Sequence, residues 1–426
     1  MKTANFSPKI RVIISDLATM TVKTTIENDV ISLTTTKAYQ RCTGSWSLTV
    51  TPRKNTSSSQ YEGLQYDEII QPNDYIKIVM GSGDGTFMVA VMAGLVTGVA
   101  ISRHVGSGGQ YQRVIRISGS DLGKMLMSEI GWDISPAQIL VGGNQEQSWQ
   151  DRKAMMVGTP AQSVRNIFHR IVEKGFFTIS KHIDTSQVRD DDDWIVLESA
   201  GYLAKQTPIW QAMMQFENRP YNALWCDTDD IGFFRLGLEA YPLDKFGFVA
   251  RSANKTITVE DWQITSEDIS LNDGERVNLV TLETPILKYT ENGYGWPLSL
   301  SSKVLTNVDE KSIHLHGFRP HVIHTEFIPP GTNESKQNVN VPFTAANRAT
   351  TFWNWYRVNH ELESGSITIH GTPNIRAGWQ LNHKSRGMSY LIEQVSHEFH
   401  VWPQISFTTT LEITRGRKTQ VMTMSI

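Results

Sequence analysis

Apolar and polar positions along the first 120 residues alternate in short runs. Ile10 to Ile14 is an apolar run, Ile31–Thr35 and Trp46–Val50 alternate, and Tyr75–Val79 follows the turn-forming Pro72-Asn73-Asp74. Met88–Val96 and Val114–Ser118 complete the set. A period of two puts alternate side chains on one buried face, so each run predicts a strand, and the series predicts a barrel or sandwich. The Ser-rich stretch from Pro52 to Gln60 reads as an exposed loop. Gly81-Ser82-Gly83-Asp84-Gly85 lacks the lysine of a phosphate loop and precedes strand-like residues, so it reads as a hairpin loop.

The period changes at Asp121 and Gly123, where Leu122 to Ile130 reads as helix. A second helix starts at Thr159, with Pro160 at its first position. Val164, Ile167, Phe168, Ile171 and Val172 form its apolar stripe, and Gly175 stops it. Thr207-Pro208 opens another helix, with Ile209, Met213 and Phe216 on one face, before a strand at Ile231–Leu238. Thr256–Val259, Val277–Leu282 and Ile286–Tyr289 return to strand, and a polar loop runs from Pro329 to Asn340. Ala345 to Glu363 reads as a helix that buries Ala349, Phe352, Trp353, Tyr356 and His360. The last sixty residues are again short strands: Ser366–His370, a turn through Pro373-Asn374 to Gly378, then Tyr390–Ile392 and Thr410–Ile413. The expected class is α+β, mainly β. The expected domains are 1–120 (a β-barrel), 121–250 (mixed), 251–345 (β-rich, partly feeding a second barrel) and 346–426 (a helix and the second barrel).

With 426 residues, 39% of them hydrophobic and 19% charged, the chain has ample core for two to four domains. A net charge of -3 argues against a dedicated nucleic-acid binder. The best apolar stretch, Phe87 to Ala100, is too short to span a membrane, so no insertion is expected. The start, Met1-Lys2-Thr3-Ala4-Asn5, lacks the apolar core of a signal peptide, and the product is expected to be made and kept in a cytoplasm. Cys42 and Cys226 lie 184 positions apart in unlike contexts and are expected to be reduced, small hydrophobes.

Candidate chemistry is thin. His314-Leu315-His316, His321, His324 and Glu326 are the densest histidine cluster. On a strand, His314 and His316 would share a face, and His321 or Glu326 would complete a zinc shell. No His-Glu-x-x-His or paired-cysteine spacing supports a metal, and Pro320, Pro329 and Pro330 mark irregular loop, so solvated or interface histidines are expected. Asp190 to Asp193 lacks the spacing of a calcium loop and reads as a solvated acidic loop. There is no Gly-x-Ser-x-Gly, no Cys-His pair and no carboxylate pair, Glu198 and Glu217 being isolated; neither an enzyme nor a cofactor is expected. Trp46, Trp132, Trp296, Trp379 and Trp402 read as core or interface rather than as a sugar-binding surface. His397 is expected to make a structural hydrogen bond.

The order of the late pieces carries further information. Gly371-x-Pro373-x-Ile375-x-x-Gly378, Tyr390-x-Ile392-x-x-Val395-Ser396-His397 and Thr408-Thr409-Thr410-Leu411-x-Ile413-Thr414-Arg415-Gly416 follow one another. This order resembles the C-terminal barrel of phage baseplate hub proteins, the late control protein D and T-even central-hub family. The early segment is similar to the first barrel of the same family. It runs from Trp46–Val50 through Ile69 to Ile78, Met92 to Val99 and Arg113 to Gly123, with Asn73-Asp74 where Gly-Asp is usual. Trp210 through Asp227 looks like its middle domain. The resemblance implies two similar tube barrels and a homotrimeric ring that adapts a six-fold tail tube to a three-fold spike and lines the DNA channel. It also implies a contractile tail and a place in the virion baseplate after assembly in the host cytoplasm. The implied partners are the spike or tail-tip protein, the tail tube or its initiator, baseplate wedge proteins and the tape measure, with DNA only in passage. The alternative from another class is a tail-associated cell-wall hydrolase or glycan-binding module.

Overall fold

A computed structural model describes residues 8–55, 61–81, 88–105, 111–131, 158–173, 180–195, 206–286, 301–325, 327, 341–402 and 404–418. The N-terminal strands are β1 (Lys9–Ser15), β2 (Val22–Ile26), β3 (Val30–Ala38), β4 (Ser45–Val50), β5 (Tyr75–Gly81), β6 (Met88–Val105) and β7 (Tyr111–Asp121), with a single-turn helix α1 (Tyr66–Ile69). The middle of the chain holds β8 (Glu129–Gly131), α2 (Pro160–Ile167), β9 (Ile183–Val188), β10 (Gln206–Pro208), α3 (Ile209–Gln215), β11 (Asn222–Thr228) and β12 (Phe234–Ala240). Then come β13 (Thr256–Val259), β14 (Ile264–Leu271), β15 (Leu279–Ile286), β16 (Ser301–Val308), α4 (Glu310–His316), β17 (Pro320–His324) and α5 (Val341–Tyr356). The chain ends on β18 (Glu363–His370), β19 (Gln380–His383), β20 (Met388–His400) and β21 (Ser406–Lys418).

The class is mainly-β α+β, as expected, but the two strand sets do not close as separate barrels. Thirteen strands share one sheet in the order β14-β18-β21-β20-β3-β4-β7-β6-β5-β1-β2, with β19 on β20 and β13 on β19. Closing the N-terminal set would require β3 to pair with β2. The edge of β3 is instead taken by β20, whose residues Gln394 to His400 run antiparallel to Ser32 through Ala38. Smaller sheets, β11-β12-β9, β16-β15-β17 and β10-β8, lie outside it.

Burial follows the alternation. In β4, Trp46, Leu48 and Val50 are buried while Ser45 and Ser47 are exposed. The N-terminal core gathers Val12, Ile14, Leu33, Leu48, Ile76 and Ile117, and it also takes Phe399 and Phe407 from the far end of the chain. The C-terminal core is built on Ile367, Ile369, Leu381, Tyr390, Ile392 and Leu411. The middle core packs α2, α3, β11, β12 and α5 around Phe168, Trp194, Met213, Phe234 and Phe352.

Helix starts obey the sequence. The Thr159 hydroxyl accepts from the Gln162 amide and the Gln162 side chain returns to the Thr159 amide, a capping box with Pro160 behind it. The expected stop at Gly175 lies outside the described residues. Leu122 to Met127 is a 3-10 turn that gives way to β8 rather than a longer helix. In α5 the fully buried positions are Ala345, Ala349, Phe352 and Trp355; Trp353 and Tyr356 are only partly covered. The histidine segment differs outright: residues 310–316 form α4, started by the Asp309 carboxylate, which accepts from the Ser312 amide. The loops at Pro52–Gln60, Gly81–Gly85 and Pro329–Asn340 fall largely or wholly outside the described residues.

Candidate functional site

Seven strands of the large sheet, β14, β18, β21, β20, β3, β4 and β7, have one side turned away from the core, and there the registers align hydroxyls. Ser266, Thr368, Thr410, Ser396, Thr36, Ser45 and Ser120 stand opposite one another across β14, β18, β21, β20, β3, β4 and β7. A parallel row holds His370, Thr408, Glu398, Thr34, Ser47 and Ser118, and a third holds Asp268, Ser366, Glu412 and Gln394. Directly opposed residues in antiparallel strands project to the same face, so these rows form one surface from β14 to β7 that crosses the junction of the two strand sets. Thr36 and Ser396 share a hydrogen bond of 3.1 Å, Thr368 and Thr410 another of 3.1 Å, and Gln394 donates to Glu412 at 2.8 Å. A hollow of about 340 Å³ opens in this face beside Thr34, Thr36, Ser47 and Ser118. No lysine or arginine stands in the three rows; their charges are Asp268, Glu398 and Glu412, while Arg116 lies opposite Thr49 in the next row out and Lys124 donates to Thr97 at the rim of the hollow. The face is polar, weakly acidic and without a ligand-gathering cluster.

Among the described residues both ends of the sheet are open: no strand pairs with the outer edge of β2 or of β14. Most of β14 is exposed, and Trp262 and Leu271, which bracket it, are 70% and 61% exposed. Open edges and solvent-facing apolar side chains at their ends are the features through which sheets add strands from other chains.

Side-chain bolts hold the strand sets to the middle of the chain. The turn from Gly371 to Trp379 is locked by Arg376, which donates to the carbonyls of Pro373 (2.7 Å), Ile375 (3.1 Å) and Ala90 (2.7 Å) and to Asp230 (2.7 Å). Glu239 accepts from the Tyr39 hydroxyl (3.2 Å), Arg251 (3.0 Å) and Lys255 (3.0 Å), and Arg251 reaches on to the Gly378 carbonyl at 2.7 Å. Burial alone would raise the Glu239 carboxyl, but Arg251 and Lys255 hold it below the usual range. Gly378 has a left-handed φ of 81° and lies against the Tyr39 ring, where a Cβ would collide, so both constraints require glycine. His397 is buried and its Nδ1 lies 3.0 Å from the Thr409 hydroxyl, the structural role expected of it. Burial, with the Arg376 charge adding to it, pulls this imidazole down to about 3, so it is neutral.

Of the histidines weighed as metal ligands, His314 and His316 lie two positions apart on α4, which turns them to different sides, and not on a strand. His321 lies on β17 with its ring centroid 4.1 Å from that of Tyr356, and burial and Arg415 hold it below the ordinary value. His324 pairs with Glu283 at 2.7 Å, and Glu326 lies outside the described residues. Among the described residues no three histidine, cysteine or acidic side chains are grouped to hold a metal.

The aspartate run is not uniformly solvated. Asp190 pairs with Arg165 at the surface. Asp192 is buried and accepts from Asn218 (2.6 Å), Asn222 (3.0 Å) and Arg348 (2.9 Å). The Arg348 guanidinium lies between the rings of Trp194 and Tyr221, 4.0 and 3.7 Å from their centroids. Glu217 is likewise buried, paired with Arg219. Only tertiary partners distinguish Asp192 from its neighbours, so local sequence carries no signal for it. Glu198, Trp132 and Trp296 lie outside the described residues; Trp46 is core, Trp379 flanks the C-terminal core, and Trp402 is 80% exposed at the tip of the β20–β21 hairpin.

No protein-family model matches the chain, and no curated protein matches it in sequence. Solved structures do. The prophage MuSo2 43 kDa tail protein from Shewanella oneidensis is 12% identical, with 96% of this chain and 98% of that chain covered and a TM-score of 0.49. An E. coli component of the type VI secretion system, described as similar to bacteriophage T4 tail proteins, is 10% identical over 90% of this chain and 73% of that one, with a TM-score of 0.36. The tail protein from Neisseria meningitidis MC58 is 12% identical, with 96% of each chain covered and a TM-score of 0.52. Over nearly its whole length, the chain has the fold of that Neisseria tail protein.

Proposed function

We propose that the chain is a structural protein of a phage or phage-derived tail, and within it the baseplate hub: three copies close into a ring that seats a six-fold tail tube on a three-fold spike and lets DNA pass. The observation that carries this reading is the set of hydroxyl-lined rows, without lysine or arginine, that runs from β14 through β20 and β3 to β7 and so joins the two strand sets. A wall facing moving DNA has to be wetted without binding phosphate. Hydroxyls satisfy the first need, and the absence of cations removes the counterion release that drives DNA adhesion. Two strand sets per chain give six around a ring of three, matching the symmetry of a tube. The open edges β2 and β14 bound the two sets and supply a head-to-tail contact that stops growing when the ring closes. The full-length fold of the Neisseria tail protein supports the same placement. Spike or tip, tube or tube initiator, wedge and tape-measure proteins are the partners this position brings, and the virion baseplate is its location.

Native mass measurement tests the reading. A mass of three chains, alone or on addition of the spike protein encoded with it, is the expected result. A monomer under both conditions would sink the hub.

A further inference from the structure

A second constellation lies buried where the β3–β4 turn meets β11. Cys42 and Cys226 are 4% and 1% exposed, and the Cys226 thiol donates to the Cys42 carbonyl at 2.7 Å while the Cys42 thiol donates to the Gly123 carbonyl at 3.0 Å. Lys37 Nζ stands 3.5 Å from Cys226 Sγ, held by Asp121 at 2.5 Å and by the Cys42 carbonyl at 3.0 Å. Two cysteines 184 positions apart thus meet in one pocket, beside one ammonium. We propose that Cys42 and Cys226 are a dithiol that closes to a disulfide by exchange with a low-molecular-weight disulfide such as oxidised glutathione, stapling the N-terminal strands to the middle sheet.

The exchange balances without another reactant. The Cys226 sulfur, with Lys37 as counter-charge, attacks one glutathione sulfur and releases the other as glutathione. The Cys42 sulfur then attacks the mixed disulfide at Cys226 and releases the second glutathione. One S–S bond is reduced, one forms, and the two thiol protons leave on the two glutathiones. Burial, and then the hydrogen bond with the Cys226 thiol, push the Cys42 thiol above its ordinary range, so its attack in the second, intramolecular step needs the opening that lets it ionise. Both sulfurs are covered, so exchange waits on opening of the turn around Cys42, and the closed bond is shielded from reductant in the same way.

The full-length protein, held with oxidised glutathione and quenched in acid, is examined by intact mass and peptide mapping. The expected product has lost two hydrogens per chain, yields one peptide pair joining Cys42 to Cys226, and reverts with dithiothreitol. Closing so long a loop should shift the folding equilibrium by roughly 30-fold or more, read as a higher unfolding midpoint than that of the reduced protein. In Cys42→Ser the same treatment should leave one glutathione on Cys226. Glutathione on both cysteines of the wild type, disulfides between chains, or an unchanged mass under conditions where iodoacetamide alkylates both thiols of the folded protein would each overturn the proposal.

Discussion

His397 shows how one residue can set the acid limit of the molecule. Its imidazole is neutral when folded and titrates at about 3, against an ordinary value near 6.5 when unfolded. Between these values the unfolded chain binds the extra proton, so stability rises with pH across the window and is lost on acidification, by about 1.4 kcal/mol per pH unit. His397→Gln keeps a partner for Thr409 and removes the titration. Denaturant unfolding from pH 7 down to pH 4 should show the variant losing stability less steeply than the wild type, by up to one proton's slope. Equal slopes would show that His397 does not titrate in this way. Arg376 is a test of connection rather than charge. Arg376→Ala leaves the Ala90, Pro373 and Ile375 carbonyls without their donor and should cost about 2–4 kcal/mol, read as a lower unfolding midpoint at pH 7.

At the scale of elements, the alternating strands and the capped helix at Thr159 were legible because local rules decide them: a period of two with turns between, and a threonine followed by proline. The helix α4 was not, since His-x-His invites a strand reading and the nearby prolines mask the Asp309 cap. The hydroxyl face was visible only as unconnected polar alternates. Its rows exist because β20 is registered on β3, and no local pattern announces which strand a strand will join. Two outcomes follow for these elements. Trp262→Lys with Leu271→Lys on the β14 edge should weaken trimer assembly at least about tenfold in sedimentation, with the monomer's unfolding midpoint unchanged, because the side chains are exposed in the single chain. Ser45→Lys with Thr410→Lys on the hydroxyl face should leave assembly intact and create salt-sensitive retention of duplex DNA, measured by anisotropy at about 50 and 200 mM salt. Unaltered DNA retention would remove the face from the wall of any channel.

The whole molecule was half legible. The order of motifs at both ends pointed to two related strand sets, and both are present, but their fusion into one sheet was not foreseen. The two cysteines and the buried Asp192 belong to the same omission: residues far apart in sequence whose contexts differ only until the chain folds. The fused sheet makes the halves interdependent. Phe399 and Phe407 sit in the N-terminal core, each contributing about 1.5–3 kcal/mol by burial. A fragment ending at residue 131 should therefore be far more protease-sensitive than the same segment in the full chain, as limited proteolysis with mass mapping would reveal.

The pairing of β3 with β20 also imposes a timetable. The hydrogen bond between Thr36 and Ser396 joins residues 360 positions apart, so β3 waits for a strand made some 360 residues later before its sheet is complete. During that interval the edge of β3 is an open template in a crowded cell, a hazard known for slowly maturing sheets. Lys37, an inward-pointing charge on that strand, makes it less suited to joining a stranger while it waits. Strand β20 is in this sense a late check written into the topology: a nascent chain broken off before it cannot present a finished strand set.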